Sequence, residues 1–252
     1  MASTSNSDEH LLLARVEDTV QTCEKYYAPS FLGFLDLREQ AYAKNYLAHT
    51  PCNYTFFGGY DDAERCLLGV YPDYMDANDV QPPITAVAFR YRSVAQLSHR
   101  DILGSLLSSG IRRDKIGDIL CGDGLSVVYL QDEIVTYVCE QIDRVGGEGV
   151  TCIRNYDGAL PLNKSYKDIH DTIASPRLDS VVKVLTRFSR EKAAEIIRLG
   201  FVSVNHLVVL SASANVDAPC TISIRGVGRF LVDAIGPPTK KGRLILSARK
   251  CI

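Results

Sequence analysis

The chain changes sign part-way along its length. From Arg177 to Ile252 it carries thirteen Lys and Arg against five Asp and Glu; residues 1–176 carry fifteen against twenty-five. The formal charge of −2 therefore conceals a basic segment of net +8 joined to an acidic body of net −10. Such a break reads as a join between modules, and 252 residues leave room for two or three small ones. A basic module usually seeks a polyanion, and the commonest intracellular polyanion is nucleic acid. A basic face also serves as solvated surface or as a dock for an acidic protein, so the pattern within the segment has to decide.

Apolar residues make up 46% of the chain, enough to build real cores. The opening MASTSNSDE reads as a frayed polar tail. The Leu11–Leu13 run is too short for the apolar part of a signal peptide, and acidic rather than basic residues precede it. No apolar run approaches the ~20 residues that span a bilayer. A cytoplasmic protein without membrane attachment is the expectation. The eight cysteines (23, 52, 66, 121, 139, 152, 220 and 251) form no CxxC and sit among apolar neighbours, which predicts buried, reduced thiols. None of the five histidines stands at zinc-ligand spacing from a cysteine, so no metal is expected.

Residues 10–27 read as a helix. Pro29 and Gly33 separate it from a second, capped by Asp36 with Glu39 in capping-box position, running to about His49 and ended by Pro51. Strands are predicted at 53–60 and 66–72, with Asp61, Asp62, Glu64 and Arg65 as polar turn residues between them. A regular order then begins: strand 84–91, helix 98–109 capped by Ser98 and ended by Gly110, strands 116–121 and 125–130 around Gly122-Asp123-Gly124, helix 132–143 and strand 150–154. This β-α-β-β-α-β order is the split-βαβ plan of ferredoxin-like and RRM modules. The aromatic signature of RNA-stacking sheets is thin: Phe89, Tyr91 and Tyr129 are the candidates, with core packing the alternative. Residues 156–176 read as a polar connector.

In the basic segment, Leu178, Val181, Val182 and Leu185 recur at helical spacing, with Asp179, Lys183 and Arg187 assigned to the opposite side. Ser189 caps a second helix whose inner face is Ala193, Ala194 and Ile197, and Gly200 closes it. Asn205-His206 then turns one short strand into another, and further strands are predicted at 221–226 and 229–235. Arg177, Lys183, Arg187, Arg190, Lys192 and Arg198 crowd the helical pair. Arg225 and Arg229 flank Gly226 and Gly228, which permit close backbone approach to a ligand.

Arg177-Leu178-Asp179, SREKAAEIIRLGFVSVN (189–205) and ISIRGVGRF (222–230) resemble the S4 RNA-binding domain. Pro219-Cys220 stands where that family often has Gly-Asp. FLDLREQ (34–40), GGYDDAERC (58–66) and LSHRDILGSLLSSGIRRDKIGDI (97–119) extend the likeness to the YlmH-type proteins, with Leu37 and Cys66 as departures. The resemblance implies an α+β chain. It would have an N-terminal helical segment (1–50), an RRM-like domain (51–155, core 84–154), a connector (156–176) and a small S4 domain of αL type (177–252). It implies structured RNA as partner: ribosomal RNA and tRNA on the large ribosomal subunit, in quality control of stalled translation. A link to cell division is also attached to the family. The RNA-contacting role falls to Arg177, Lys183, Arg187, Ser189, Arg190, Lys192, Arg198, Asn205, Arg225 and Arg229, and a second contact to Arg112, Arg113 and Lys115. Guanidinium groups fork onto phosphate oxygens, and folded RNA offers phosphates more readily than base edges. Six neutralised phosphates would give a log–log salt slope on the order of −4 to −5.

Catalysis is not expected. His99-Arg100-Asp101 lacks the asparagine and glycine-rich loop of kinases. The sequence holds no G-x-S-x-G, Walker A or G-x-G-x-x-G, and Gly146-Gly147-Glu148-Gly149 alone cradles no nucleotide, so no small-molecule cofactor is expected. Arg177-Leu178-Asp179 lacks the flanking residues of the pseudouridine synthase motif. An RNA-modifying enzyme that uses its S4 domain for substrate delivery is the alternative.

Overall fold

In the computed structural model, which describes residues 2–162, 165–239 and 242–251, helices and antiparallel sheets are interspersed from end to end, an α+β architecture. They divide into two units, residues 1–163 and 164–252. Among the described residues no helix is long and apolar enough to cross a membrane.

The first unit opens with α1 (Ala2–Tyr26), β1 (Ser30–Leu35), α2 (Leu37–Leu47), β2 (Asn53–Phe57) and β3 (Cys66–Tyr71). The strands form a sheet in the order β1-β3-β2. Leu12, Val16, Val20 and Cys23 recur along one face of α1 and pack with Ala43 and Leu47 of α2 against Leu68 and Val70 of β3. The capping box is present at α2: the Asp36 carboxylate accepts from the Arg38 and Glu39 N–H groups, and Glu39 accepts from the Asp36 N–H. Two expectations change here. The supposed frayed tail is helical from Ala2, and Glu9 within it pairs with Arg38 at 2.6 Å. Residues 30–35, expected only as a break between helices, form a buried strand. A six-residue apolar run is the length of a strand rather than a helix. Gly33 is there for space: a Cβ would lie 2.6 Å from the Asp114 carbonyl.

The split-βαβ core follows: β4 (Ile84–Arg90), α3 (His99–Ser108), a 3-10 turn (Arg113–Lys115), β5 (Ile116–Cys121), β6 (Leu125–Gln131), α4 (Asp132–Gln141), the small hairpin β7 (Arg144–Val145) and β8 (Glu148–Gly149), and β9 (Thr151–Ile153). Its sheet order is β5-β6-β4-β9, antiparallel throughout. Alternation along β4 and β6 sends Val87, Phe89, Val128 and Leu130 against α3 and α4. It sends Ala88, Val127 and Tyr129 to the opposite face, where Phe34, Leu67, Phe31 and Phe57 of the first sheet cover them. Both faces of the RRM-like sheet are therefore buried. Cys139 of α4 and Cys152 of β9 form a disulfide, correcting the expectation of eight reduced thiols. The helix lies over the sheet beside β9, so thirteen residues of separation close to 5.3 Å between Cα atoms. Burial pushes the Cys66 thiol up to about 11, as suits an inert core cysteine.

The second unit comprises β10 (Tyr166–Ile173), α5 (Leu178–Thr186), α6 (Arg190–Arg198), β11 (Val202–Val204), β12 (Leu207–Val208), β13 (Cys220–Ile224), β14 (Gly228–Pro238) and β15 (Leu244–Cys251). Its six strands run β10-β15-β14-β13-β11-β12. Leu178, Val181, Val182, Leu185, Ala193 and Ile197 seat the helices on Ile222, Phe230, Val232 and Leu246. Residues 166–173, expected within a connector, instead add the edge strand β10, paired with β15 along all eight residues. Its polar side chains hid it. Seven of the eight are exposed or partly exposed, as befits an edge strand.

A candidate nucleic-acid interface

The two short helices of the second unit position most of the basic residues. Arg177 is the N-cap of α5, and Arg187 ends that helix with φ 61°, a left-handed cap. Phe188 and Ser189 carry the chain into α6, where the Ser189 hydroxyl accepts from the Lys192 N–H at 3.2 Å. Lys183, Arg187 and Arg198 are exposed and hold no ion pair among the described residues. Lys192 is exposed but paired with Glu195 at 3.0 Å.

Helical spacing places Asp179 on the polar, outward side of α5. It is instead buried, at 3% exposure, and it organises the site. Its carboxylate accepts from Arg177 Nε and Nη2 at 3.2 and 2.9 Å, and from Arg190 Nε at 3.2 Å. One acid thus ties the start of α5 to the start of α6 and fixes two guanidinium groups that remain partly exposed. Burial alone would raise the Asp179 carboxyl; the Arg177 and Arg190 hydrogen bonds and charges outweigh it and hold the group below the usual carboxylate range. Sequence spacing failed here because Arg190 stands eleven positions away, across the turn between the helices. The signal was the acid in the first turn of a helix whose flanks are arginines.

The remaining predicted residues lie past the far end of α6, a nine-residue helix of roughly 13 Å. Gly200, with φ +73°, turns the chain into Phe201. The Arg225 guanidinium lies over the Phe201 ring, 5.1 Å from its centroid, and the Arg225 N–H donates to the Phe201 carbonyl at 2.9 Å. Arg225 and Arg229 line an open hollow of about 360 Å³ with Phe201, Val208 and Ser223. Asn205 serves the fold: at φ 46° it makes the turn, and its Oδ1 accepts from the Thr221 N–H at 3.0 Å. Of the ten residues expected to touch RNA, Asn205 makes a turn and the other nine fall into a helical-pair group and a hollow group.

In the first unit, Arg112, Arg113 and Lys115 do not form one basic patch. Arg113 turns inward, and its guanidinium donates to the Ile116 and Gly117 carbonyls at 2.5 and 3.3 Å. Burial and the neighbouring Arg65 charge push it down to about 10. Lys115 pairs with Glu133 at 2.5 Å. Arg112 is exposed but paired with Asp114, which Arg15 also holds at 3.0 Å. Arg65 donates to the Phe34 and Ile116 carbonyls, and the Asp118 carboxylate accepts from the Tyr60 hydroxyl and the Glu64 and Arg65 N–H groups, so the 58–66 turn is fastened to β1 and β5. The stacking candidates are likewise internal. Phe89, Tyr91 and Tyr129 are all at most 8% exposed, and Tyr60 stacks on Tyr129 at 5.2 Å.

Comparison with known proteins bears on both units. Residues 79–156 match the family described as "Putative RNA-binding domain in YlmH". The ribosome-associated protein quality control protein P2 of Bacillus subtilis (strain 168) is 29% identical over 240 residues, covering 94% of this chain and 93% of that protein. The solved structure of the cell division protein ylmH from Streptococcus pneumoniae superposes with a TM-score of 0.52 over 59% of this chain and 92% of that one. At 17% identity that match speaks to the fold.

Proposed function

We propose that this YlmH-like chain is a non-catalytic RNA-binding protein of the cytoplasm that works on the ribosome. Its targets in this reading are ribosomal RNA and tRNA held by the large subunit, and its setting is the quality control of stalled translation. The observation that carries the reading is the outward set of cations on α5 and α6. Lys183, Arg187 and Arg198 have no internal partner among the described residues, while Arg177 and Arg190 are held in place by a buried acid. Unpaired cations kept apart from neutralising acids raise the local potential and invite phosphate. The similarity to a protein named for ribosome-associated quality control supplies the setting.

Physically, binding of this kind reads backbone geometry more than sequence. Arg177 and Arg190, each with one edge fixed on Asp179, present their remaining N–H groups to phosphate at little entropic cost. Lys183 and Arg187 add charge further along the same pair. The hollow group supplies Arg225 and Arg229 beyond the other end of α6. Of the second cluster, Arg112 remains a candidate contact; Arg113 does not, because it turns inward and its Nη1 is spent on the Ile116 and Gly117 carbonyls.

The test is a charge reversal that spares the fold. Lys183→Glu with Arg187→Glu is cleaner than a change at Arg190, whose reversal would set a carboxylate against buried Asp179. The double variant should keep the wild-type circular dichroism and melting behaviour yet fail to co-sediment with large ribosomal subunits at 0.1 M salt. A folded double variant that co-sediments like wild type would refute the reading.

A further inference from the structure

The hollow opens where Gly200 and Phe201 leave α6, with Ser203, Ser223 and Arg229 on the sheet face turned away from the helices, so it is a site apart from the α5–α6 cations. Three large apolar side chains stand exposed around it: Phe201 at 36%, Val208 at 50% and Leu210 at 61%. They are neighbours. The Leu210 and Val208 side chains come within 3.5 and 3.6 Å of where a Gly200 Cβ would stand, and Phe201 and Val208 line the same concavity. A contiguous exposed apolar patch on a soluble protein marks a place where something docks. Among the described residues that line the hollow, the polar side chains are guanidinium groups and hydroxyls: Arg225 over the Phe201 ring, Arg229, Ser203 and Ser223. Gly226 has φ +78° and open space where a Cβ would be, so the backbone at the rim is bare.

A ligand that suits this edge needs flat apolar faces, polar edges and negative charge within one small unit. Unpaired nucleotides have all three, and they stack on aromatic rings and guanidinium planes wherever RNA strands are splayed open. An acidic protein helix would also match the arginines, but the guanidinium laid over the Phe201 ring suits a planar base better than an aliphatic side chain. The volume, about 360 Å³, is at the small end of the ~300–1,000 Å³ that accommodates small planar ligands. The sheet face of the first unit offers no such platform, since its aromatics are buried.

We propose that this hollow takes one or two unpaired nucleotides of the bound RNA, the base stacked beside Phe201 and Val208 and the phosphates on Arg225 and Arg229. The inference rests on the RNA-binding reading above and adds to it a preference for loops, bulges or strand ends over continuous duplex.

The experiment uses the full-length protein and two probes, a hairpin RNA with an eight-nucleotide loop and the same stem as a blunt duplex, read by fluorescence anisotropy at 50 mM salt. Wild type should bind the looped probe about tenfold more tightly, and Phe201→Ala should remove that margin by weakening the looped probe far more than the duplex. Leu210→Ser, at a more exposed position, should reduce the margin without touching the core, and Phe201→Tyr should retain it. No preference in wild type, or a Phe201→Ala protein that keeps the preference or loses both probes equally while folded, would overturn the stacking site and leave RNA binding standing. A wild-type protein that binds neither probe would overturn the RNA reading itself.

Discussion

The two units use arginine in opposite ways. In residues 1–163, Arg65 and Arg113 point inward and hydrogen-bond the carbonyls of Phe34, Ile116 and Gly117, fastening the loop before β5 to the neighbouring sheet. In residues 164–252, the arginines and lysines of α5 and α6 face outward, and the one buried acid beside them fixes two of them in place rather than drawing them in. The sheets differ in the same sense. The RRM-like sheet is covered on both faces, by α3 and α4 and by the β1-β3-β2 sheet. The six-stranded sheet buries one face under its helices, and Asp233, Arg249 and Ser223 occupy the other. A basic residue count therefore says little until the carbonyls and carboxylates that consume the charge are known.

That contrast can be broken experimentally, beginning where the effect is largest. Reversing Lys183 and Arg187 should weaken RNA binding by at least about a hundredfold, since each lost phosphate contact is replaced by repulsion, while unfolding free energy shifts by less than about 1 kcal/mol. Arg65→Met should do the reverse. Removing it takes the side-chain donor from the Phe34 carbonyl and leaves the Ile116 carbonyl to Arg113 alone, at about 1–3 kcal/mol, seen as an earlier urea midpoint, while RNA affinity of the folded fraction is unchanged. If both variants lost stability and binding together, the division of labour would collapse.

Asp179→Asn sharpens the comparison from within the second unit. It keeps the shape of the clamp but removes its charge, at about 1–2 kcal/mol near pH 7. The folded carboxyl titrates below its unfolded value, so its contribution is full above about pH 4 and is lost as pH falls through the folded value. The gap between variant and wild type should therefore close in urea titrations below about pH 4. The smallest effect belongs to Arg112→Ala. Its exposed guanidinium is already half-neutralised by Asp114, so affinity should fall about threefold and the salt slope by at most about 1.

Much of this was legible in sequence wherever the cue was local. The caps at Asp36, Ser98 and Ser189, the glycine ends at 110 and 200, and the Asn205 turn all depend on residues within a few positions, and they appear as read. The βαββαβ order was visible because each strand there is a short apolar run between turn residues. What was missed depended on how a side chain turns once the chain is folded, and mostly on partners distant in sequence. β1 looked like a gap between helices because Gly33 reads as a breaker, whereas it makes room for the Asp114 carbonyl some eighty positions on. β10 looked like a linker because an edge strand needs little apolar surface. Arg113 looked like an RNA contact because the carbonyls that hold it belong to the strand after its own turn. Asp179 obeyed helical periodicity as a surface residue and is buried because α6 folds over it. The Cys139–Cys152 pair likewise became apparent only when α4 was laid beside β9.

The most direct test of the account is ultraviolet crosslinking of the full-length protein to large ribosomal subunits, with crosslinked peptides identified by mass spectrometry. Adducts should concentrate in residues 177–192 and 198–229. Adducts confined to residues 1–163, with the α5–α6 pair unmodified, would contradict it.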